Sequence, residues 1–155
     1  EMVFKWAYQQ RFGRYPESDG IDVMEYGTRG KRALELCRAL GRGHVAVLRD
    51  NDGSPASKWI GEASEYTKEG KRKMFVGEPS EGLTIEPQFV EANVAHLQEL
   101  AKVVGAESYE RDALVRYMED NKTLWGLRLL TSKDTSAFTC PRYITEAIDF
   151  IAGTE

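Results

Sequence analysis

The pattern of apolar and polar residues predicts alternating helices and strands in the first half of the chain. Apolar residues recur at helical spacing in residues 1–12, and Gly13 ends that run. Residues 20–27 begin and end with glycine, and the side chains between them alternate between apolar and polar, which is typical of a strand. Residues 30–40 have a second helical pattern, and residues 45–48 form an apolar run typical of a buried strand. This order predicts an α/β unit whose parallel strands are joined by right-handed crossovers.

The second half of the chain has a mainly helical pattern. Residues 54–73 are polar and predict a solvated loop, whereas residues 74–76 predict a short strand. Apolar residues recur at helical spacing between residues 89 and 130. Pro141 introduces a final helical pattern that Gly153 ends. We therefore predict an α/β fold with a parallel sheet flanked by helices and an added helical region.

Composition limits the class of protein. A chain of 155 residues, 41% of them hydrophobic, has about the length of one domain with a real core. No apolar stretch approaches the ~20 residues of a membrane span, so we expect no membrane partner. Cys37 and Cys140 lack metal-type spacing, which favours reduced thiols and a cytoplasmic location. The net charge of −4 argues against a generic polyanion binder but does not exclude nucleic acid, because bound cations can restore attraction.

The most informative segment is Asp50-Asn51-Asp52-Gly53, which directly follows the predicted strand at residues 45–48. A buried parallel strand delivers the residues after it to the carboxyl edge of the sheet, where open α/β folds bind ligands. Carboxylate oxygens suit Mg²⁺ or Mn²⁺, and a turn at Asn51 can bring both aspartates to one ion. The same composition is also typical of a plain solvated turn. A calcium loop fits less well, because the twelfth position counted from Asp50 is Gly61 instead of glutamate.

Three further polar residues are candidates for chemistry. Pro87 should restrict Glu86 to extended geometry at a sheet edge, although an isolated acid is more often a surface residue. Lys122, between two helical runs, could stabilise charge on a phosphoryl group or be simply solvated. Glu1 at a helix start suits the positive end of the helix dipole.

A basic cluster surrounds Gly70. Lys68, Lys71, Arg72 and Lys73 could contact a phosphate backbone, although such clusters are common on solvated surfaces. The sequence contains no phosphate-binding Gly-x-x-x-x-Gly-Lys motif and no Gly-x-Ser-x-Gly nucleophile motif.

The order of several segments carries a family resemblance. These segments are residues 1–4, 20–23, 45–53, 83–93, 121–127 and 141–148. Together they resemble the Toprim domain of topoisomerases, primases and related nucleases. Within that group they are most similar to the C-terminal catalytic region of OLD (overcoming lysogenization defect) family nucleases, particularly class 2.

The resemblance implies a Toprim-like fold and a metal-dependent endonuclease that cleaves DNA with two Mg²⁺ or Mn²⁺ ions. It assigns Asp50 and Asp52 as shared metal ligands, Glu86 to the second ion and Lys122 to the scissile phosphate. Glu1 matches an acid that follows the family's first strand, which would lie upstream of this chain, and we expect it to be catalytic. Lys71, Arg72 and Lys73 are the expected DNA contacts. An N-terminal ATPase domain in the full-length protein, and a homodimer formed through it, are also implied.

Two other functions remain open. Residues 45–54 also fit the apolar strand and Asp-x-Asp-Gly-Ser motif of a haloacid-dehalogenase-type phosphatase, with Asp50 as nucleophile and Asp52 as general acid. No apolar run after residue 76 ends in the second acidic pair that such a phosphatase needs. The other is a non-catalytic DNA-binding module with vestigial acids. We predict a Toprim core at residues 1–90, a helical region at 91–139 and a C-terminal helix at 140–155 that packs back on the core.

Overall fold

The computed structural model describes residues 1–27 and 30–153, and within them the fold is mixed α/β. Short 3-10 helices cover Pro16–Asp19, Pro79–Glu81 and Val94–His96. The α-helices and strands are, in chain order, α1 Met2–Phe12, α2 Gly30–Ala39, β1 Val45–Arg49, α3 Ala56–Thr67, β2 Arg72–Val76, α4 Ile85–Ala92, α5 Leu97–Val104, α6 Arg111–Asp120, α7 Lys122–Thr131 and α8 Arg142–Ala152. None of the helices in the described residues has the length and apolarity needed to cross a membrane.

The chain forms two compact units. The helical unit comprises Glu1–Val23 and Ile85–Pro141, and the sheet unit comprises the described residues of Met24–Thr84 and Arg142–Glu155. Helix α1 is therefore grouped with the helices after residue 84, whereas the predicted boundaries grouped it with the sheet.

In the sheet unit, β1 and β2 pair in parallel, with a register that runs from Val45 opposite Arg72 to Arg49 opposite Val76. Successive side chains of a strand point to opposite faces, and both faces are covered here. Met74 and Val76 belong to one apolar cluster with residues of α2 and α3. Phe75 contacts Phe150 of α8, with ring centroids 5.8 Å apart. The predicted parallel pairing, the two strands and the final helix are confirmed.

Two predictions for this part of the chain are wrong. Residues 20–26 form no strand, because no neighbouring strand pairs with them and most are exposed, Met24 at 78%. Residues 54–73 are mainly helical instead of a loop. Helix α3 buries Ala56, Ala63 and Tyr66, and the remaining positions are mostly polar and face solvent.

The helical unit is built around aromatic side chains. Trp6 of α1 meets Phe89 of α4 edge to face at 5.5 Å between centroids, and Phe89 lies 5.5 Å from Trp125 of α7. Buried Asn93 donates to the carbonyls of Phe89 and Thr139 at 2.8 and 2.9 Å. The helices predicted for residues 1–12 and within residues 89–130 are thus confirmed as α1, the end of α4 and α5 to α7, but α4 begins four residues earlier than predicted.

Candidate functional site

A buried asparagine organises the turn that follows β1. The side chain of Asn51 is fully buried, and its Nδ2 donates to the carbonyl of Gly82 at 2.6 Å. Its Oδ1 accepts from the backbone N–H of Gly53 at 2.9 Å, which is an Asx turn. The backbone N–H of Ser54 closes the turn by donating to the Asn51 carbonyl at 2.9 Å. Asn51 therefore fixes the backbone that carries the aspartates on either side of it.

The second aspartate has an uncommon backbone conformation. Asp52 has φ +49°, and among the described residues it is the one non-glycine with positive φ. Gly53 follows at φ +76°, where the absence of a Cβ removes the steric penalty. Aspartate tolerates this left-handed region better than most residues. Asp50 and Asp52 lie in the turn that directly follows β1, at the carboxyl end of that strand.

Arg49, the last residue of β1, neutralises one of the two carboxylates. Its Nη2 lies 2.6 Å from Oδ2 of Asp52, and its Nε donates to the Asp50 carbonyl at 2.9 Å. Its Cζ lies 3.6 Å from the centroid of the Trp59 ring, a close cation–π contact. Trp59 is itself held in place, because its Nε1 donates to the Asn51 carbonyl at 2.7 Å.

The start of α3 adds a second cation beside the turn. Lys58 Nζ lies 3.1 Å from Ser54 Oγ and 4.5 Å from the centroid of Trp59. Arg49, Lys58 and Trp59 were not among the site residues predicted from the sequence. The available signal was their position, directly before the acidic turn and in the first turns of the helix after it.

Glu78 is a further acid that the sequence analysis missed. It follows β2 by two residues, and the ends of parallel strands meet at one edge of a sheet. The Oε2 atom of Glu78 accepts from the backbone N–H of Ala56 at 3.3 Å, which joins the β2 end to the start of α3. The signal for Glu78 was the predicted strand at residues 74–76 followed by an acid.

The donor set at this edge fits a hard divalent cation in its chemistry. Carboxylate oxygens are the ligands that Mg²⁺ and Mn²⁺ prefer, and these ions commonly bind through one or two carboxylates while water and substrate fill the other positions. Within residues 1–27 and 30–153, no three His, Cys, Asp or Glu side chains form a group that could hold a metal ion. A cation here would therefore depend on Asp50 and Asp52, and it would share Asp52 with Arg49.

Glu86 does not have the predicted extended geometry. It lies in the first turn of α4, where the N–H groups have no partner within the helix, so Pro87 removes no hydrogen bond there. Its side chain is 2% exposed, and its Oε2 has no hydrogen-bond partner. The prediction of a sheet-edge carboxylate is wrong in its geometry, but Glu86 is a buried carboxylate with unused hydrogen-bonding capacity.

Glu1 and Lys122 also belong to the helical unit. Oε1 of Glu1 lies 2.9 Å from Nζ of Lys5, which also contacts Oε1 of Glu17 at 2.5 Å. These two carboxylates, Glu17 first, raise the pKa of Lys5. Lys122 is the exposed first residue of α7. Among the predicted site residues, the structure thus places Asp50 and Asp52 in one turn of the sheet unit and Glu1, Glu86 and Lys122 in the helical unit.

The three predicted DNA contacts have different surroundings. Arg72 is 4% exposed, and its guanidinium donates to the carbonyls of Tyr66 and Arg42, each at 3.0 Å. The solvated position expected for Arg72 is therefore wrong, because β2 alternates and turns this side chain inward. Lys71 is exposed, and Nζ of Lys73 lies 4.6 Å from the Phe150 ring centroid. DNA contact by Lys71 and Lys73 stays a prediction.

Comparison of the chain with protein-family models, with curated proteins and with solved structures finds no match.

Proposed function

We propose that this chain is the catalytic part of a metal-dependent endonuclease that hydrolyses phosphodiester bonds of DNA. The observation that carries the proposal is the acidic turn at the carboxyl end of β1. There, buried Asn51 holds Asp50 and Asp52 on either side of it through hydrogen bonds to Gly82 and Gly53. The resemblance to Toprim domains and OLD family nucleases, with an ATPase domain and a dimer in the full-length protein, is part of this proposal.

The proposal gives separate roles in metal binding and DNA binding to the candidate residues. Asp50 and Asp52 would hold Mg²⁺ or Mn²⁺, and the Asn51 hydrogen bonds to Gly82 and Gly53 fix the backbone of the turn that carries them. A bound divalent cation supplies Lewis-acid stabilisation of the phosphate and lowers the pKa of a water nucleophile. The resemblance to OLD family nucleases would assign Lys122 to the scissile phosphate, Glu86 to a second ion and Glu1 to catalysis. Lys71 and Lys73 contact the DNA backbone, where each phosphate contact contributes a salt-dependent affinity.

The test is conversion of supercoiled plasmid to nicked or linear DNA with Mg²⁺ or Mn²⁺. We expect cleavage that EDTA stops and that Asp50→Asn and Asp52→Asn reduce to background. Asp22→Asn is the matched control, because it removes the same charge from an exposed position outside the turn. Intact plasmid under every metal condition, or full cleavage by Asp50→Asn, would refute the proposal.

A phosphomonoester assay separates the nuclease from the phosphatase alternative. The Asp-x-Asp-Gly-Ser turn after β1 is the observation that keeps this alternative in view. If Asp50 were a covalent nucleophile, p-nitrophenyl phosphate would be hydrolysed at a rate that Asp50→Asn abolishes, and plasmid would stay intact. DNA binding without either activity would instead favour the non-catalytic module.

A further inference from the structure

Arg49 occupies one of the oxygens that a cation at Asp52 needs. Its Nη2 lies 2.6 Å from Oδ2 of Asp52, within charge-assisted hydrogen-bond distance. Two more contacts hold the same guanidinium, the Asp50 carbonyl at Nε and the face of Trp59. The Arg49 side chain is 17% exposed and that of Asp52 is 59% exposed. The Asp52 carboxylate is therefore open to solvent, whereas the Arg49 side chain is mostly buried.

We infer that Arg49 is a built-in counter-cation of Asp52, which a divalent metal ion displaces and which then contacts the substrate phosphate. This inference rests on the proposed function, because it assumes that Asp52 is a metal ligand. Like charges repel strongly at contact distances, so a guanidinium and a divalent ion on one small carboxylate compete. The ion can approach Asp52 from its exposed side without first unpacking Arg49.

The contacts that remain after displacement keep Arg49 at the edge of the site. Trp59 and the Asp50 carbonyl hold the Cζ and Nε ends of the guanidinium, and loss of Asp52 releases Nη2. A guanidinium presents its donors in a planar fork that matches phosphate oxygens, which lysine cannot reproduce. Arg49 would thus change from neutralising Asp52 to binding the anion that arrives with the metal.

Trp59 should report the displacement. Its ring carries the Arg49 guanidinium at 3.6 Å, so movement of that cation changes the environment of the indole. The two other tryptophans, Trp6 and Trp125, are buried in the helical unit. We expect Mg²⁺ to change tryptophan fluorescence in the wild-type protein, and Trp59→Phe to remove that change.

The decisive comparison is Arg49→Gln with a matched control, Arg32→Gln. Arg32 also forms an i, i+3 ion pair in the sheet unit, with Nη1 2.6 Å from Oε2 of Glu35. Both variants remove one positive charge and break an ion pair of equal length, but only Arg49→Gln releases Asp52. Mg²⁺ affinity is measured by calorimetry and plasmid cleavage at saturating Mg²⁺, with circular dichroism to confirm folding.

We expect Arg49→Gln to bind Mg²⁺ about two- to fivefold more tightly, the range that one exposed ion pair represents, and to cleave DNA more slowly. Arg32→Gln should leave both quantities unchanged. Arg49→Lys, which keeps the charge but loses the fork, should have near-wild-type affinity and reduced cleavage. The opposite directions of affinity and rate are a result that a merely structural role for Arg49 would not produce.

Each other outcome overturns the inference. Unchanged or weaker Mg²⁺ binding in Arg49→Gln, with binding still lost in Asp52→Asn, refutes the competition and leaves the proposed metal site intact. Tighter binding with faster cleavage refutes the phosphate contact. If neither the wild-type protein nor Arg49→Gln binds Mg²⁺, the proposed function fails and the inference fails with it.

Discussion

Replacement of Asn51 by alanine should destabilise the protein more than the same replacement of a partly exposed asparagine. The Asn51 side chain is fully buried and makes two hydrogen bonds, from Nδ2 to the Gly82 carbonyl and from the Gly53 N–H to Oδ1. Each such bond contributes about 1 kcal/mol net, and a partner left buried without one costs about 1–3 kcal/mol. We therefore expect Asn51→Ala to lower the free energy of unfolding by about 2–4 kcal/mol.

The assay is urea denaturation followed by circular dichroism, with Asn121→Ala as the comparison. Asn121 makes one side-chain hydrogen bond, from Nδ2 to the Tyr117 carbonyl at 2.8 Å, and it is partly exposed. Its replacement should cost about 1 kcal/mol. A loss for Asn51→Ala no larger than for Asn121→Ala would refute the argument that buried Asn51 holds the turn.

Asn51→Asp tests the same geometry in the opposite direction. The new carboxylate keeps the acceptor for Gly53 but sets a second oxygen against the Gly82 carbonyl, where the native Nδ2 donates at 2.6 Å. Protonation restores a donor, so the folded state should bind a proton more tightly than the unfolded state. The difference in the free energy of unfolding between Asn51→Asp and the native protein should therefore shrink as pH falls. A difference that does not change with pH would contradict this reasoning.

Three further predictions concern the helical unit. Gly105 has φ +80°, and a Cβ there would lie 1.5 Å from Nη1 of Arg128. We therefore expect Gly105→Ala to lower the free energy of unfolding, measured by urea denaturation, by at least about 2 kcal/mol. A loss below about 0.5 kcal/mol would refute this prediction. Hydrogen bonds from Arg14 and then Tyr8 hold the pKa of Asp19 below its usual 3.8, so this contribution is present above about pH 3.8 and is lost as pH falls below it. Asp19→Asn should flatten that acid-side decline in the urea midpoint, and parallel curves would count against it. Burial, with the Asp19 hydrogen bond, raises the pKa of Tyr8 to about 12, so stability should fall as pH rises from 10 towards 12, and Tyr8→Phe should remove that fall.

The acidic turn was predictable because its signals are local. An apolar run followed by Asp-Asn-Asp-Gly indicates a buried strand and a turn; the strand and the Asx turn are present, but every residue of β1 is half-buried instead of buried. The signal for the next strand, at residues 74–76, was also local. A helix between two strands favours their parallel pairing, which is the pairing of β1 and β2. These features need no information about distant residues.

The errors arise where a distant partner decides the outcome. Residues 20–26 alternate as a strand would, but alternation stabilises a strand only when one face is buried against neighbours. Arg72 reads as part of a basic surface cluster, yet it fills an internal position where three groups accept its hydrogen bonds. Pro87 disfavours helical geometry for the residue before it, but the helical unit buries Glu86 in the first turn of α4. In each case packing overrode a weak local preference.

Arg49 was missed for a related reason. Arginine before a turn is unremarkable in sequence, and its role depends on the distance to Asp52 and on the Trp59 ring ten residues later. Glu78 needed the strand register, since it reaches the edge of the sheet only because β2 runs parallel to β1.

The most direct test of the account locates a divalent ion on the folded chain. Substoichiometric Mn²⁺ is added to isotope-labelled protein, and amide signals close to the bound ion broaden in the nitrogen–proton correlation spectrum. We predict that the signals of residues 50–53 broaden first and that Asp50→Asn removes this effect. Sharp signals for residues 50–53, with broadening confined to other acids such as Glu62, would contradict it.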